Sequence, residues 1–140
     1  MQAIPLRAKG SFTLVVKPEH LASRFKDSML PPVLATPIMI LAMENAALNA
    51  IREYLEPGES AVGTAVDVRH LAATPLGQQV TAEAEVIEVD GRRIVFAATA
   101  RDEVEEIGRG THERMMIDLR RAMQRLDAKA GRRSTGADAD

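Results

Sequence analysis

The position of Glu44 in this chain makes it a candidate for a chemical role. It lies in the segment 37–55, which has the apolar periodicity of a helix. Its neighbours three and four positions away are all apolar: Ile40, Leu41, Ala47 and Leu48. A carboxylate on such a face is costly to desolvate unless it is paired. In an apolar pocket its pKa would be raised, so that it could act as a base or a nucleophile. The alternative is a glutamate at the helix edge that reaches solvent or an arginine.

Two further residues carry groups suited to proton transfer. His70 is in phase with Val66 and Val68 in an alternating segment, which predicts that its imidazole faces the helix. Imidazole titrates near neutral pH and can move protons. Thr36 precedes the helix, where its hydroxyl either caps the first turn or orients a reacting carbonyl. Each residue alone has a structural explanation, a core histidine or a helix cap. Together with Glu44 they form a candidate catalytic set.

Other candidates carry weaker signals. His112 and Arg114 share one face of a predicted strand, for which a glutamate–arginine ion pair or a solvated face is the default interpretation. Gly63 marks either a bulge or a close approach of backbone or substrate. The three histidines have no paired spacing, so no metal site is predicted.

The amino-acid composition excludes several classes of protein. The chain has 140 residues, 46% of them apolar, which fits one folded domain. It has no cysteine, which excludes disulfides and thiolate chemistry. A net charge of −2 gives no electrostatic footprint for nucleic acid. There is no secretory pattern in the first ten residues and no apolar run long enough to span a membrane. We therefore expect a cytoplasmic protein.

The periodicity predicts five strands and two helices. A long helix begins at Thr36-Pro37 and ends near Leu55, before Glu56-Pro57-Gly58. Asp90-Gly91 is a tight hairpin signal. The predicted strands are 11–16, 61–70, 79–89, 92–101 and 104–117, and the terminal helix is 118–129. A single domain is expected over residues 1–130, followed by a disordered polar tail at 131–140.

The order of these elements predicts an α+β fold. One strand, a long helix and four strands in an antiparallel meander follow each other. The helix is apolar over more than half its circumference, so the sheet is expected to wrap around it, which is the hot-dog arrangement. The helix also sets a geometric limit, because eight residues, about 12 Å, separate Thr36 from Glu44. Both can serve one site if the first turn bends away, if substrate spans them, or if a second subunit supplies one of them. Hot-dog domains commonly pair, so we favour a site at a subunit interface.

Several segments resemble the fluoroacetyl-CoA thioesterases and their hot-dog relatives. The matching segments are 33–36 (Val-Leu-Ala-Thr) leading into a helix with Met43-Glu44, 54–59 (Tyr-Leu-Glu-Pro-Gly-Glu), 63–65 (Gly-Thr-Ala), 70–75 (His-Leu-Ala-Ala-Thr-Pro), 91–93 (Gly-Arg-Arg) and 106–114 (Glu-Ile-Gly-Arg-Gly-Thr-His-Glu-Arg). Together they cover about residues 11–120, and their order and spacing make the resemblance specific.

The resemblance implies an acyl-CoA thioesterase that acts on a short-chain acyl-CoA such as fluoroacetyl-CoA. Its catalytic set would be Thr36, Glu44 and His70, with Gly63 at the substrate carbonyl. Arg114 would support the site or the fold. Coenzyme A would be part of the substrate and no separate cofactor is implied. The resemblance also implies a homodimer.

One departure from the family concerns the acyl group. The fluoroacetyl-CoA enzyme has a pair of phenylalanines that form a lid, and the matching positions here are Asp27 and Leu30. An aromatic lid is therefore missing or rebuilt from Phe25, Met29 and Leu34. Thioester hydrolysis is expected, but selectivity for fluoroacetyl-CoA is not.

Two alternatives share the predicted fold. A carboxylate and an imidazole also suit the hydration of an enoyl thioester. A module that binds acyl-CoA or an acyl carrier without turnover is the other alternative. Thiol release, loss of enoyl absorbance and binding without turnover separate the three.

Overall fold

The structure is a computed structural model that describes residues 1–132 of the chain. Its elements, in chain order, are β1 (Lys9–Val15), α1 (Ala22–Phe25), α2 (Thr36–Ile51), β2 (Glu59–His70), β3 (Gln79–Asp90), β4 (Arg93–Arg101), β5 (Glu106–Asp118) and α3 (Leu119–Gly131). Short 3-10 turns occupy Pro18–His20 and Arg52–Tyr54. The predicted strands begin and end within two residues of these bounds. Residues 133–140, most of the predicted tail, lie outside the described residues.

The five strands form one antiparallel sheet in the order β1-β3-β4-β5-β2. The predicted antiparallel α+β arrangement is confirmed, but the four-strand meander is wrong. Only β3, β4 and β5 follow each other as neighbours, whereas β2 pairs with β5 at the sheet edge. The connection after β2 is anchored to the loop before α2, because the amide of Leu34 donates to the carbonyl of Thr74 at 2.9 Å. Thr74 is fully buried.

Helix α2 is the centre of the fold. Its buried residues are Ile38, Met39, Ala42, Met43, Ala46, Ala47, Ala50 and Ile51. Thr36 was predicted as the N-cap, but Ala35 holds that position and Thr36 is the first helical residue. The helix ends at Ile51 rather than near Leu55, because the chain tightens into a 3-10 turn before Gly58, whose φ is +86°.

Strand β1 lies directly against α2. A methyl group on Gly10 would collide with the backbone of Ala46 and Ala50. Small residues on both elements therefore permit this close approach. No helix within residues 1–132 is long and apolar enough to cross a bilayer.

Candidate active site

Thr36 and His70 form a hydrogen-bonded pair. Thr36 begins α2 and His70 ends β2. Their Oγ1 and Nδ1 atoms are 2.8 Å apart. His70 lies opposite Gly108 in the sheet, and a methyl group on Gly108 would collide with Met39 of α2. The predicted orientation of His70 towards the helix is therefore confirmed. Because Ala35 rather than Thr36 caps the helix, the Thr36 hydroxyl is available to the imidazole.

The pair borders an open cleft of about 470 Å³. Leu30, Pro31, Val33, Leu34 and the segment 71–73 supply apolar walls. Lys26 is the one lysine or arginine among the described residues that line the cleft. Lys26 forms no ion pair with any acidic side chain in the described part of the chain. Leu30 and Leu34 line the cleft. Phe25 and Met29 are exposed and do not, so aliphatic side chains stand where an aromatic lid was considered.

Burial lowers the pKa of His70, and the backbone of Ala72 opposes that shift. The imidazole is therefore neutral near pH 7 and can accept a proton. Its Nε2 atom is buried and has no hydrogen-bond partner within residues 1–132. A neutral imidazole with one nitrogen free is suited to relay a proton between a reacting group and its surroundings.

Glu44 lies in a second cluster. Its side chain is 37% exposed, and its Oε2 atom is 3.8 Å from Nη1 of Arg114. It is not among the residues that line the cleft of Thr36 and His70. The expectation of a glutamate enclosed by apolar side chains is therefore wrong for the single protomer. Within one protomer the structure pairs Thr36 with His70 and places Glu44 beside a cation.

Gly63 brings β2 against this second cluster. A methyl group on Gly63 would lie 2.8 Å from Oε2 of Glu44, 3.3 Å from Cε1 of His112 and 3.6 Å from Nη1 of Arg114. The pairing of β2 with β5 shifts register between Gly63 and Ala65. Gly63 therefore combines the two features considered for it, a bulge and a close approach.

His112 and Arg114 are buried beneath Glu44, and the solvated face considered for them is wrong. Arg114 contacts Nε2 of His112 at 3.0 Å and donates to the carbonyl of Ala61 at 2.8 Å. The predicted alternation is confirmed, because Glu113 faces the other way and pairs with Arg93. Sequence reasoning undervalued His112. The sequence feature that predicts its burial is the alternation that places it on the same strand face as Arg114 and the apolar Met116. That face is the inner face of β5.

The edge strand leaves apolar side chains uncovered near Glu44. Val62 and Val66 of β2 are 42% and 43% exposed, and Leu41 of α2 is 44% exposed. The outer edge of β2 has no neighbouring strand within residues 1–132. An unpaired edge flanked by exposed apolar residues is a surface suited to pairing with another chain.

Comparisons with known proteins agree with this arrangement. The sequence pattern of the fluoroacetyl-CoA-specific thioesterases matches residues 16–120. A fluoroacetyl-CoA thioesterase of Streptantibioticus cattleyicolor is 52% identical over 89 residues, and this match spans 64% of each chain. A variant of a fluoroacetyl-CoA thioesterase solved with fluoroacetate superposes with a TM-score of 0.84 at 38% identity, over 89% of this chain and 98% of that one.

More distant structures agree in fold. A Thermus thermophilus member of the thioesterase superfamily superposes with a TM-score of 0.87 at 29% identity, over 94% of this chain and 97% of that one. A hot-dog-like protein of Thermanaerovibrio acidaminovorans gives 0.81 at 21% identity, over 90% and 93% of the two chains. The antiparallel sheet around α2 is thus the hot-dog fold. Since the family pattern covers most of the chain, the chain belongs to the fluoroacetyl-CoA-specific thioesterase family.

Proposed function

We propose that this protein hydrolyses the thioester of a short-chain acyl-CoA, with Thr36, Glu44 and His70 as its catalytic set. The observation that carries the proposal is the 2.8 Å contact between Thr36 and His70 at a cleft open to solvent. The neutral imidazole, with its unpartnered Nε2, supports a role in proton transfer.

Each residue has a separate task in the proposed reaction. The carboxylate of Glu44 removes a proton from the water that attacks the thioester carbonyl. Alternatively the carboxylate attacks the carbonyl itself, the thiolate leaves, and water then cleaves the mixed anhydride and restores the glutamate. His70 relays a proton to the departing sulfur. Thr36 and the backbone amide of Gly63 orient the carbonyl oxygen as negative charge develops on it. Overall, the hydroxyl of water ends on the acyl carbon and its proton on the thiol of coenzyme A.

Features of the cleft support an acyl-CoA substrate. Its apolar walls suit a short acyl chain. The ammonium of Lys26, which pairs with no acidic side chain of residues 1–132, suits the phosphates of coenzyme A. Variants of a fluoroacetyl-CoA thioesterase have been solved with acetyl-CoA and with fluoroacetate and CoA. Because aliphatic side chains line the cleft, we expect hydrolysis of several short acyl groups rather than strong preference for fluoroacetyl-CoA.

The distance between the two clusters supports a homodimer. Thr36 and Glu44 lie about 12 Å apart along one helix, too far for direct contact. An isologous pairing through the edge of β2 would cover Val62 and Val66 and would bring the Glu44 cluster of one subunit towards the pair of the other. The proposed site therefore takes its residues from both subunits.

Thiol release from a panel of acyl-CoAs tests the activity. The panel includes acetyl, fluoroacetyl, branched and aromatic acyl groups. Glu44→Gln is expected to lose nearly all hydrolysis, and Thr36→Ser to retain more activity than Thr36→Ala. Wild-type rates in Glu44→Gln would remove the mechanism. The absorbance of an enoyl-CoA, followed in parallel, detects hydration, and binding without thiol release would identify a non-enzymatic module.

Mixing two inactive variants tests the shared site. In a heterodimer of Glu44→Gln and His70→Ala subunits, one of the two sites receives both native residues if the set spans the interface. Random pairing makes half of the dimers mixed, so about a quarter of wild-type activity should return after unfolding and refolding together. No recovery above the separate variants would place Glu44 and His70 in the same subunit's site.

A further inference from the structure

His112 is a buried imidazole with two hydrogen-bonded partners. It is 2% exposed on the inner face of β5, and its ring stacks on Phe96 with the centroids 6.0 Å apart. Nδ1 is 2.9 Å from the carbonyl oxygen of Ala65, and Nε2 is 3.0 Å from Nη1 of Arg114. It lies next to the proposed catalytic glutamate without belonging to the catalytic set.

The two contacts allow one state of the ring. A guanidinium can only donate, so Nε2 must carry a lone pair to accept from Arg114. A carbonyl can only accept, so Nδ1 must carry the proton that is donated to Ala65. Both contacts therefore select the neutral tautomer protonated on Nδ1. Burial, the largest cause, and the nearby charge of Arg114 lower the pKa of His112, which agrees with a neutral ring.

In this tautomer His112 holds two groups, the β2 backbone at Ala65 and the side chain of Arg114. Ala65 is the residue at which β2 resumes its register after the irregularity that follows Gly63. Arg114 is held by His112 and by the carbonyl of Ala61, and its Nη1 atom faces Glu44 at 3.8 Å. The His112 side chain thus contacts both the β2 backbone beside Gly63 and the Arg114 guanidinium that faces the Glu44 carboxylate.

We propose that His112 is a positioning residue, which as the neutral Nδ1–H tautomer holds Arg114 towards Glu44 and holds β2 beside Gly63. The effect on turnover rests on the proposed function of Glu44, whereas the tautomer itself does not. A group that acts in this way affects the rate of the chemical step more than it affects substrate binding.

Kinetics of paired variants test the positioning role. A glutamine at 112 can accept from Arg114 and donate to Ala65, whereas a leucine can do neither. We expect His112→Leu to lower kcat about 10- to 100-fold with KM within about threefold, and His112→Gln to recover most of the loss. Thr111→Ala, an exposed neighbour on the other face, is the matched control and should behave as wild type. Wild-type kcat in His112→Leu, or no recovery in His112→Gln, overturns the proposal.

Whether the effect of His112→Leu requires Glu44 distinguishes a positioning role from a general structural effect. In a Glu44→Gln background, His112→Leu should cause no further loss of the residual rate, because the residue it serves is already gone. The same loss in both backgrounds would show that His112 acts through another group and would overturn the proposal.

Nitrogen NMR of the imidazoles tests the tautomer without any activity measurement. The chain has three histidines, so the His112 signals are assigned by their disappearance in His112→Gln. At neutral pH we expect a protonated Nδ1 and an unprotonated Nε2. A protonated Nε2 overturns the proposal even if the enzyme is active. If wild-type protein releases no thiol from any acyl-CoA, the proposed function fails while the tautomer is still tested.

Discussion

Gly63→Ala is the substitution that most directly tests the second cluster. The added methyl group would lie 2.8 Å from Oε2 of Glu44, where ordinary contact begins at 3.4 Å. The carboxylate must therefore retreat by about 0.6 Å. Catalytic groups need to be held within about 0.5 Å of their productive position, and a displacement of about 1 Å can lower a rate about 100-fold. We expect kcat/KM to fall about 10- to 30-fold, which is about 1.4–2 kcal/mol of transition-state stabilisation.

The stability of the Gly63→Ala protein should not fall together with its activity. Gly63 does not have a positive φ, so alanine fits its backbone without strain. The closest atom, Oε2 of Glu44, is the far end of a partly exposed side chain, which can move. The buried His112 ring, whose Cε1 would lie 3.3 Å from the methyl group, needs to move by only about 0.1 Å to reach ordinary contact. Alanine in a strand is favoured over glycine by about 0.5–1 kcal/mol. The free energy of unfolding should therefore stay constant or rise slightly while hydrolysis falls.

The assay combines thiol release with urea unfolding. Gly131→Ala is the matched control, because a methyl group there meets nothing within 4 Å. In a Glu44→Gln background, Gly63→Ala should have no further effect on the residual rate. Wild-type kcat/KM in Gly63→Ala, or an equal loss without Glu44, would show that the methyl group does not act through the carboxylate.

Three further predictions follow from other parts of the molecule. Gly10→Ala should destabilise the protein by about 3 kcal/mol in urea unfolding, because its methyl group meets the backbone of α2, and an unchanged midpoint would contradict this packing. Lys26→Gln should raise KM several-fold for an acyl-CoA but not for the same acyl group on N-acetylcysteamine, which lacks phosphates. Arg24→Gln is the control variant. Equal effects of Lys26→Gln on both substrates would contradict a role in binding phosphate. Burial lowers the pKa of His70 and of His112, so the unfolded chain, whose imidazoles titrate near 6.5, takes up protons first as pH falls. Unfolding free energy should therefore decrease below about pH 6.5, with a shallower decrease in His112→Gln, while the acid limb of kcat should lie below that pH.

Local signals were enough to predict the five strands, the long helix and the terminal helix, but not the single helical turn α1 (Ala22–Phe25). The Asp90-Gly91 hairpin follows from a dipeptide preference, and Gly91 indeed has a φ of +61°. The phase of His70 in β2 followed from alternation over a few residues. These features depend on neighbours in sequence, which a single chain displays directly.

Long-range pairings were beyond such signals. Nothing near β2 in sequence indicates that it pairs with β5 rather than β3, because the pairing joins residues about 40 to 60 positions apart along the chain. The partners of Glu44 depend on that same pairing, since Arg114 comes from β5 and Gly63 from β2. His112 was undervalued for this reason, although its phase in β5 was predicted correctly.

The length of β2, 12 residues, explains how one strand can contact two separated clusters. Its Gly63 end contacts the Glu44 cluster, and its His70 end contacts Thr36. Seven residues of extended strand cover about 23 Å, so the two ends of β2 cannot meet within one subunit. If two copies of β2 pair antiparallel about an axis near residues 66–67, the Gly63 end of each lies opposite the His70 end of the other. Only a strand at an edge of the sheet can pair with a second copy in this way. Because β2 lies at the edge beside β5, and not next to β3, the topology permits a site shared between two subunits.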